Sequence, residues 1–136
     1  VPFGNNVGPI LPDRAILPEF YDALGDYRPS PERLAGLDQI LSLQNENLRV
    51  IVIEVPLPDA TIAVFSGGKE AYPVLFSQPL RERVAASGAL YLNGMDAGPF
   101  PDEEWADFDH LNTDGASHLS RWLGERLAEE LTDAAP

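Results

Sequence analysis

An α/β fold of the doubly wound type is the architecture this sequence predicts, and three observations carry it. The run "LRVIVIEVPLP", Leu48 to Pro58, is a continuous Val/Ile-rich stretch closed by Pro56 and Pro58. Such a run suits a parallel strand covered on both faces by helices. A second short apolar run, "ALYLN" from Ala89 to Asn93, has the length and flanking glycines of another strand. Segments with helical periodicity lie before, between and after these two runs, giving the order helix, strand, helix, strand, helix.

Taken in order, residues 1–29 hold five of the thirteen prolines and little periodicity. Proline fixes φ and removes a donor, so this segment is expected to be irregular, with one short helix near Pro18 to Leu24. Its Ile10, Leu11, Ile16, Leu17, Phe20 and Tyr21 mark it as packed onto a surface rather than as a free linker. Residues 30–136 form the α/β unit. Ser30 is placed to cap a helix whose first turn holds Pro31 and Glu32, and Leu34, Leu37, Ile40 and Leu41 extend it to about Asn47. After the first strand, Ser66-Gly67-Gly68 predicts a loop. A helix follows over about Glu70 to Ala86, disturbed by Pro73 and Pro79 and stopped by Gly88. The last helix spans about Thr113 to Leu131, with Leu119, Trp122, Leu123, Leu127 and Leu131 on its apolar face.

Two parallel strands make an unusually small sheet, and each keeps an unpaired edge. The sheet is therefore expected to be completed, by the first 30 residues, by a second copy as a homodimer, or by a missing N-terminal half. The chain opens on Val1 with no basic and apolar leader pattern, and is expected to be a piece of a longer protein. A length of 136 residues fits one domain, and no apolar run approaches the ~20 residues that span a bilayer. Nine basic against 22 acidic side chains give a net charge of −13. With no basic stripe to replace counterions, nucleic acid is excluded as a partner. Zero cysteines exclude disulfides, thiolate metal sites and a cysteine nucleophile. No cofactor is expected.

Histidine chemistry is confined to His110 and His118. Asp107 stands three residues before His110, in a loop that follows a strand and precedes a helix, where ligand sites of open α/β sheets form. A carboxylate at that distance can accept from one imidazole nitrogen and leave the other free to take a proton. The spacing equally allows a partly buried histidine at a helix start beside a solvated acid. Asp109 is too near in sequence for the usual orienting role, and Asn112 is placed to cap the last helix. Asp114 and His118, at i and i+4, read as a solvated helix face before they read as metal ligands, so no metal site is expected. Asp102-Glu103-Glu104 reads as a solvated run. Trp105 reads either as a wall of a substrate cleft or as a loop anchor.

The segment Asp107-Phe108-Asp109-His110-Leu111-Asn112, followed by Gly115-Ala116 and Leu119-Ser120, resembles the last signature block of the SGNH (GDSL-like) hydrolase superfamily. The match is to the DxxHLNxxGAxxLS form of the membrane-linked SGNH-like proteins of cell-surface acylation. The resemblance spans about residues 30–131. It implies a flavodoxin-like, three-layer α/β/α fold of which this chain supplies the second half. It implies ester hydrolysis or O-acyl transfer on an extracytoplasmic carbohydrate or similar ester, by an extracytoplasmic or membrane-associated parent protein. His110 would be the general base and Asp107 its orienting acid. Asn6, in Gly4-Asn5-Asn6-Val7, is the match to the family's oxyanion asparagine, although Val7 replaces the expected acid. The family's serine block is missing, and Ser66 beside Gly67 and Gly68 follows the wrong strand. The alternative is a non-catalytic binding or assembly module that keeps the fold without a nucleophile.

Overall fold

A computed structural model describes residues 18–132. Asn6 and the first part of the proline-rich segment lie outside the described residues. Two helices, α1 (Pro18–Gly25) and α2 (Pro31–Leu41), precede strand β1 (Ile51–Glu54). The crossover holds α3 (Asp59–Ile62), α4 (Gly68–Tyr72), a π-helical turn (Pro73–Ser77) and α5 (Gln78–Ala86), and leads to strand β2 (Leu90–Asn93). Two 3₁₀ turns, Gly94–Ala97 and Asp102–Glu104, carry the chain to the long α6 (Thr113–Thr132). The strands pair in parallel, Ile51 opposite Leu90 through Glu54 opposite Asn93. The chain is thus an α/β domain built on a two-stranded parallel sheet.

The element order follows the sequence, and the boundaries depart from it for local reasons. Ser30 caps α2 by accepting from the Arg33 N–H at 3.1 Å, with Pro31 at the first helical position. The helix ends at Leu41 instead of near Asn47, because polar side chains capture the backbone there. Asn45 Oδ1 accepts from the N–H groups of Asn47 (2.8 Å) and Leu48 (3.1 Å), and Gln44 Oε1 accepts from Val50 N–H at 2.6 Å. The crossover helix runs from Gly68 to Ala86 without leaving helical geometry. Proline 73 has no N–H to offer the preceding turn, so the Gln78 N–H reaches five residues back to the Pro73 carbonyl, giving the π turn. Gly88 adopts a φ of 76° just past the helix end, the left-handed conformation its position calls for. Helix α3 has no periodic signature. It forms because the Pro58 carbonyl accepts from both Thr61 and Ile62 N–H at 3.0 Å.

The core draws one side chain from each layer of the chain: Leu41 of α2, Ile62 of α3, Val84 of α5, Leu92 of β2 and Trp105 of the following loop. A second apolar centre is aromatic. Tyr27, Phe65, Tyr72 and Phe76 pack with ring centroids 5.1 to 5.7 Å apart and join the segment after α1 to the crossover. The expectation of a first strand buried on both faces is not met. Ile53 is 38% exposed, and no residue of β1 is fully buried, since a sheet of two strands has too few neighbours to cover it.

Gly94 shows how tightly the sheet ends are joined. A Cβ there would lie 2.8 Å from both the Glu54 carbonyl oxygen and Pro56 Cδ, so only glycine lets the turn after β2 cross the end of β1. Gly94→Ala should therefore lower unfolding stability by roughly 1–3 kcal/mol, read as a lower urea midpoint at an unchanged slope.

Candidate active site

Beyond β2 the chain builds a loop in which the side chains of Asp107 and Asn112 hold backbone groups. Trp105 and Leu111 form an antiparallel bridge, and the Ala106 N–H donates to the His110 carbonyl at 2.8 Å. Within this hairpin, Asp107 Oδ1 accepts from the N–H groups of Asp109 (3.0 Å) and His110 (2.9 Å). The chain is thereby folded back on its own carboxylate, as aspartate does in turns. The same turn brings His110 Nδ1 to 3.0 Å from both Asp107 oxygens. An aspartate three residues ahead of the histidine is the spacing that lets one carboxylate serve the turn and the ring together.

The loop is fixed at both ends. Asn112 Oδ1 accepts from Asp114 N–H (2.9 Å) and Gly115 N–H (3.2 Å), capping α6. The Asn112 N–H donates to the Glu104 carbonyl at 2.9 Å, and its amide nitrogen donates to the Glu103 carbonyl. Gly115 is buried against this turn. A Cβ there would collide with the Glu104 carbonyl oxygen and come within 2.8 Å of Leu111 Cδ2, which accounts for glycine at that place. The Thr61 hydroxyl donates to the Phe108 carbonyl, and Phe20 packs edge-on against Phe108 at 4.9 Å, joining the loop to α3 and α1. No sequence signal marks Thr61, because only folding brings it near residue 108.

His110 Nδ1 donates to Asp107, which leaves Nε2 as the acceptor. The imidazole is 71% exposed, and Nε2 has no hydrogen-bond partner among the described residues. Asp109, too near in sequence for the usual orienting role, lies close to the ring all the same. Its Oδ1 lies 2.7 Å from His110 Nδ1 without making a hydrogen bond, so it acts as a close charge rather than as an acceptor. The hydrogen bond to Asp107, then the charges of Asp109 and Asp107, raise the His110 pKa. Burial pushes the Asp107 carboxyl up, but the two backbone N–H groups and the bonds to Asp109 and His110 outweigh it and hold it below its ordinary value. Asp109 is raised, first by burial and then by Asp107. The result is a fixed imidazole biased toward its protonated form, a base once the pH exceeds its raised pKa.

The other singled-out residues take structural places. Trp105 is 2% exposed, its indole N–H donates to the Phe100 carbonyl at 3.3 Å, and it anchors the loop instead of standing free to stack on a sugar. His118 does not meet Asp114 in a metal pair. Its Nδ1 lies 2.8 Å from Glu104 Oε2, its Nε2 lies 3.3 Å from the Ala97 carbonyl, and its ring stacks on Phe100 at 4.6 Å. Glu104 is thus a tether of α6 and not part of a solvated run. Donor atoms of Asp107, Asp109 and His110 lie within 4.8 Å of one another, but the ring nitrogen facing the acids already serves Asp107. Ser66 Oγ accepts from Arg28 Nη2 at 3.2 Å, and no serine bonds to His110 among the described residues.

The raised His110 pKa fixes a sign. Its contribution to stability is fully present below the unfolded value near 6.5 and is lost as the pH rises through the folded value. The lowered Asp107 pKa contributes above its unfolded value and is lost as the pH falls through the folded one. An NMR titration should place the His110 midpoint above 6.5 in the wild type. In Asp107→Asn it should move down toward the ordinary histidine value.

Comparison of the chain with protein-family models, with curated proteins and with solved structures finds no match.

Proposed function

We propose that this chain supplies the Asp-His part of a serine ester hydrolase or O-acyltransferase, with a serine from outside residues 18–132 as nucleophile. The observation that supports it is the pair itself: Asp107 holds His110 by Nδ1, and Nε2, on an exposed ring, has no partner among the described residues. In this reading a serine Oγ attacks the ester carbonyl while its proton passes to His110 Nε2. The imidazolium, steadied by Asp107, then returns that proton to the departing alkoxide and leaves an acyl-enzyme. Water or an acceptor hydroxyl, deprotonated in turn by Nε2, removes the acyl group. The resemblance of the loop to the SGNH block supplies the substrate class, an acylated cell-surface carbohydrate or similar ester. It also supplies the flavodoxin-like three-layer fold in which the remaining strands would stand.

A second reading, a binding or assembly module without catalysis, is favoured by the lack of a serine hydrogen bond to His110 among the described residues. Turnover separates the two. The 136-residue chain alone should hydrolyse acetyl esters no faster than background. Joined to a serine-bearing partner segment it should turn over, and His110→Ala should remove about 10³-fold or more of that rate. Asp107→Asn should keep the fold and still lower the rate strongly, because the ring loses its tautomer and orientation. Undiminished turnover in the completed His110→Ala variant would end the catalytic reading.

The sheet adds an expectation about assembly. Each strand has one neighbour among the described residues, and Ile53 on β1 and Val55 just past its end are exposed. An open parallel edge of this kind is a template for another strand. Sedimentation should show self-association at micromolar concentration or capture of the completing segment, and Val55→Lys should weaken either. A monomer with no affinity for such a segment would overturn this.

A further inference from the structure

At the carboxyl ends of the two strands, away from the Asp107–His110 loop residues, lies a cavity of about 470 Å³. Its size is that of small-molecule sites, and its place is where ligands of parallel α/β sheets bind. Ile62, Val74 and Met95 give it an apolar wall, while Asn93, Ser77 and Arg81 bring polar groups to it.

The charges around it are matched in pairs, with one left over. Lys69 is ion-paired with Asp59. Glu54, the last residue of β1, is held by two hydroxyls: Ser77 Oγ donates to its Oε1 at 2.7 Å, and Tyr91 OH donates to its Oε2. Those two bonds occupy both carboxylate oxygens. Burial, reinforced by Glu54, raises the phenol pKa of Tyr91 and of Tyr72, so both stay neutral hydroxyls. Arg81 has no carboxylate partner among the described residues. Its guanidinium lies over the Tyr91 ring, 5.2 Å from the centroid. In a chain with 22 acidic and 9 basic side chains, a cation on a cavity wall that makes no ion pair among the described residues is a group with unused capacity. Asn93 sits opposite Glu54 in the strand register, and its Oδ1 accepts from the Met95 N–H at 3.0 Å. That bond turns the amide so that its nitrogen remains as a donor.

We propose that this cavity binds a small amphiphilic carboxylate, the anion held by Arg81 and the Asn93 amide and the aliphatic stem laid against Ile62, Val74 and Met95. Arginine and a primary amide offer several N–H donors to two carboxylate oxygens, a charge-assisted arrangement that a neutral head group cannot match. Glu54 binds no ligand in this scheme. It fixes Ser77 and Tyr91, and through the Tyr91 ring it positions Arg81. The site shares no residue with the Asp107–His110 pair and stands whether or not the chain takes part in ester chemistry.

Sodium octanoate is the probe, titrated into the ¹⁵N-labelled full chain at low salt. Amide shifts of Ser77, Asn93 and Met95 should saturate with a Kd of about 1 mM or tighter. Arg81→Gln, at an exposed position that leaves the core intact, should weaken binding about tenfold. Val74→Asp should weaken it comparably, since Val74 is 61% exposed and its replacement tests the apolar wall without unfolding the protein. Octan-1-ol should bind at least about tenfold more weakly than octanoate. Linear, non-saturating shifts, wild-type affinity in Arg81→Gln, or equal binding of the alcohol would each overturn the proposal.

Discussion

Parallel pairing of β1 with β2 forces the chain to return to its starting end between Glu54 and Leu90, and the whole crossover is shaped by that demand. The return is made by one nearly continuous helical stretch, and Pro73 and the π turn sit inside it. Because the strands run in register to Glu54 and Asn93, both release the chain at the same end. The cavity beside Asn93 and the loop that leads on to Asp107 and His110 both begin at that end. Gly94 records how little room is left, with a Cβ excluded by the Glu54 carbonyl. A shift of one residue would carry Glu54 away from Ser77 and Tyr91 and turn the β1 side chains to the opposite face.

Around His110 the same few atoms close the turn and orient the imidazole. Asp107 closes a turn with one oxygen and holds an imidazole with both. Asn112 caps α6 while fastening the Glu103–Glu104 segment. Gly115 lets the capped helix lie against Glu104, and Glu104 in turn holds His118. A substitution in this block therefore changes loop geometry and electrostatics together. Turn formation selects the carboxylate as an acceptor of N–H groups, which lowers its pKa. The ionised acid then raises that of the ring.

Charge is distributed with the same economy. Arg49 pairs with Glu130, Lys69 with Asp59, Arg83 with Asp38 and Arg126 with Glu129. At exposed positions such pairs add little stability; they set which cations remain to meet a ligand. Apolar surface is less well placed. Ile53, Val55, Val74 and Leu75 stand exposed near the sheet end, while the buried apolar core of the described residues is short. Exposed apolar side chains beside a two-stranded sheet are the surface that a further strand or helix would cover.

Local chemistry made much of this legible in the sequence. Ser30 and Pro31 start α2, Gly88 ends α5, and two apolar runs become the two strands, because caps, turns and β-branched runs act within a few residues. The Asp107–His110 contact belongs to the same class, since three residues of chain and one turn decide it. Helix α2 stopped short where Gln44 and Asn45 competed for backbone groups, a contest that helical periodicity does not register. What only the tertiary structure decided depends on distant segments meeting. Thr61 reaches Phe108, Glu104 binds His118, Trp105 becomes an anchor, and Glu54, Ser77 and Tyr91 join although 23 and 37 residues separate the acid from its two hydroxyl partners. Sequence spacing carries no information about such meetings. The parallel return of the chain sets them, and packing at the sheet end selects which polar groups are left facing one another.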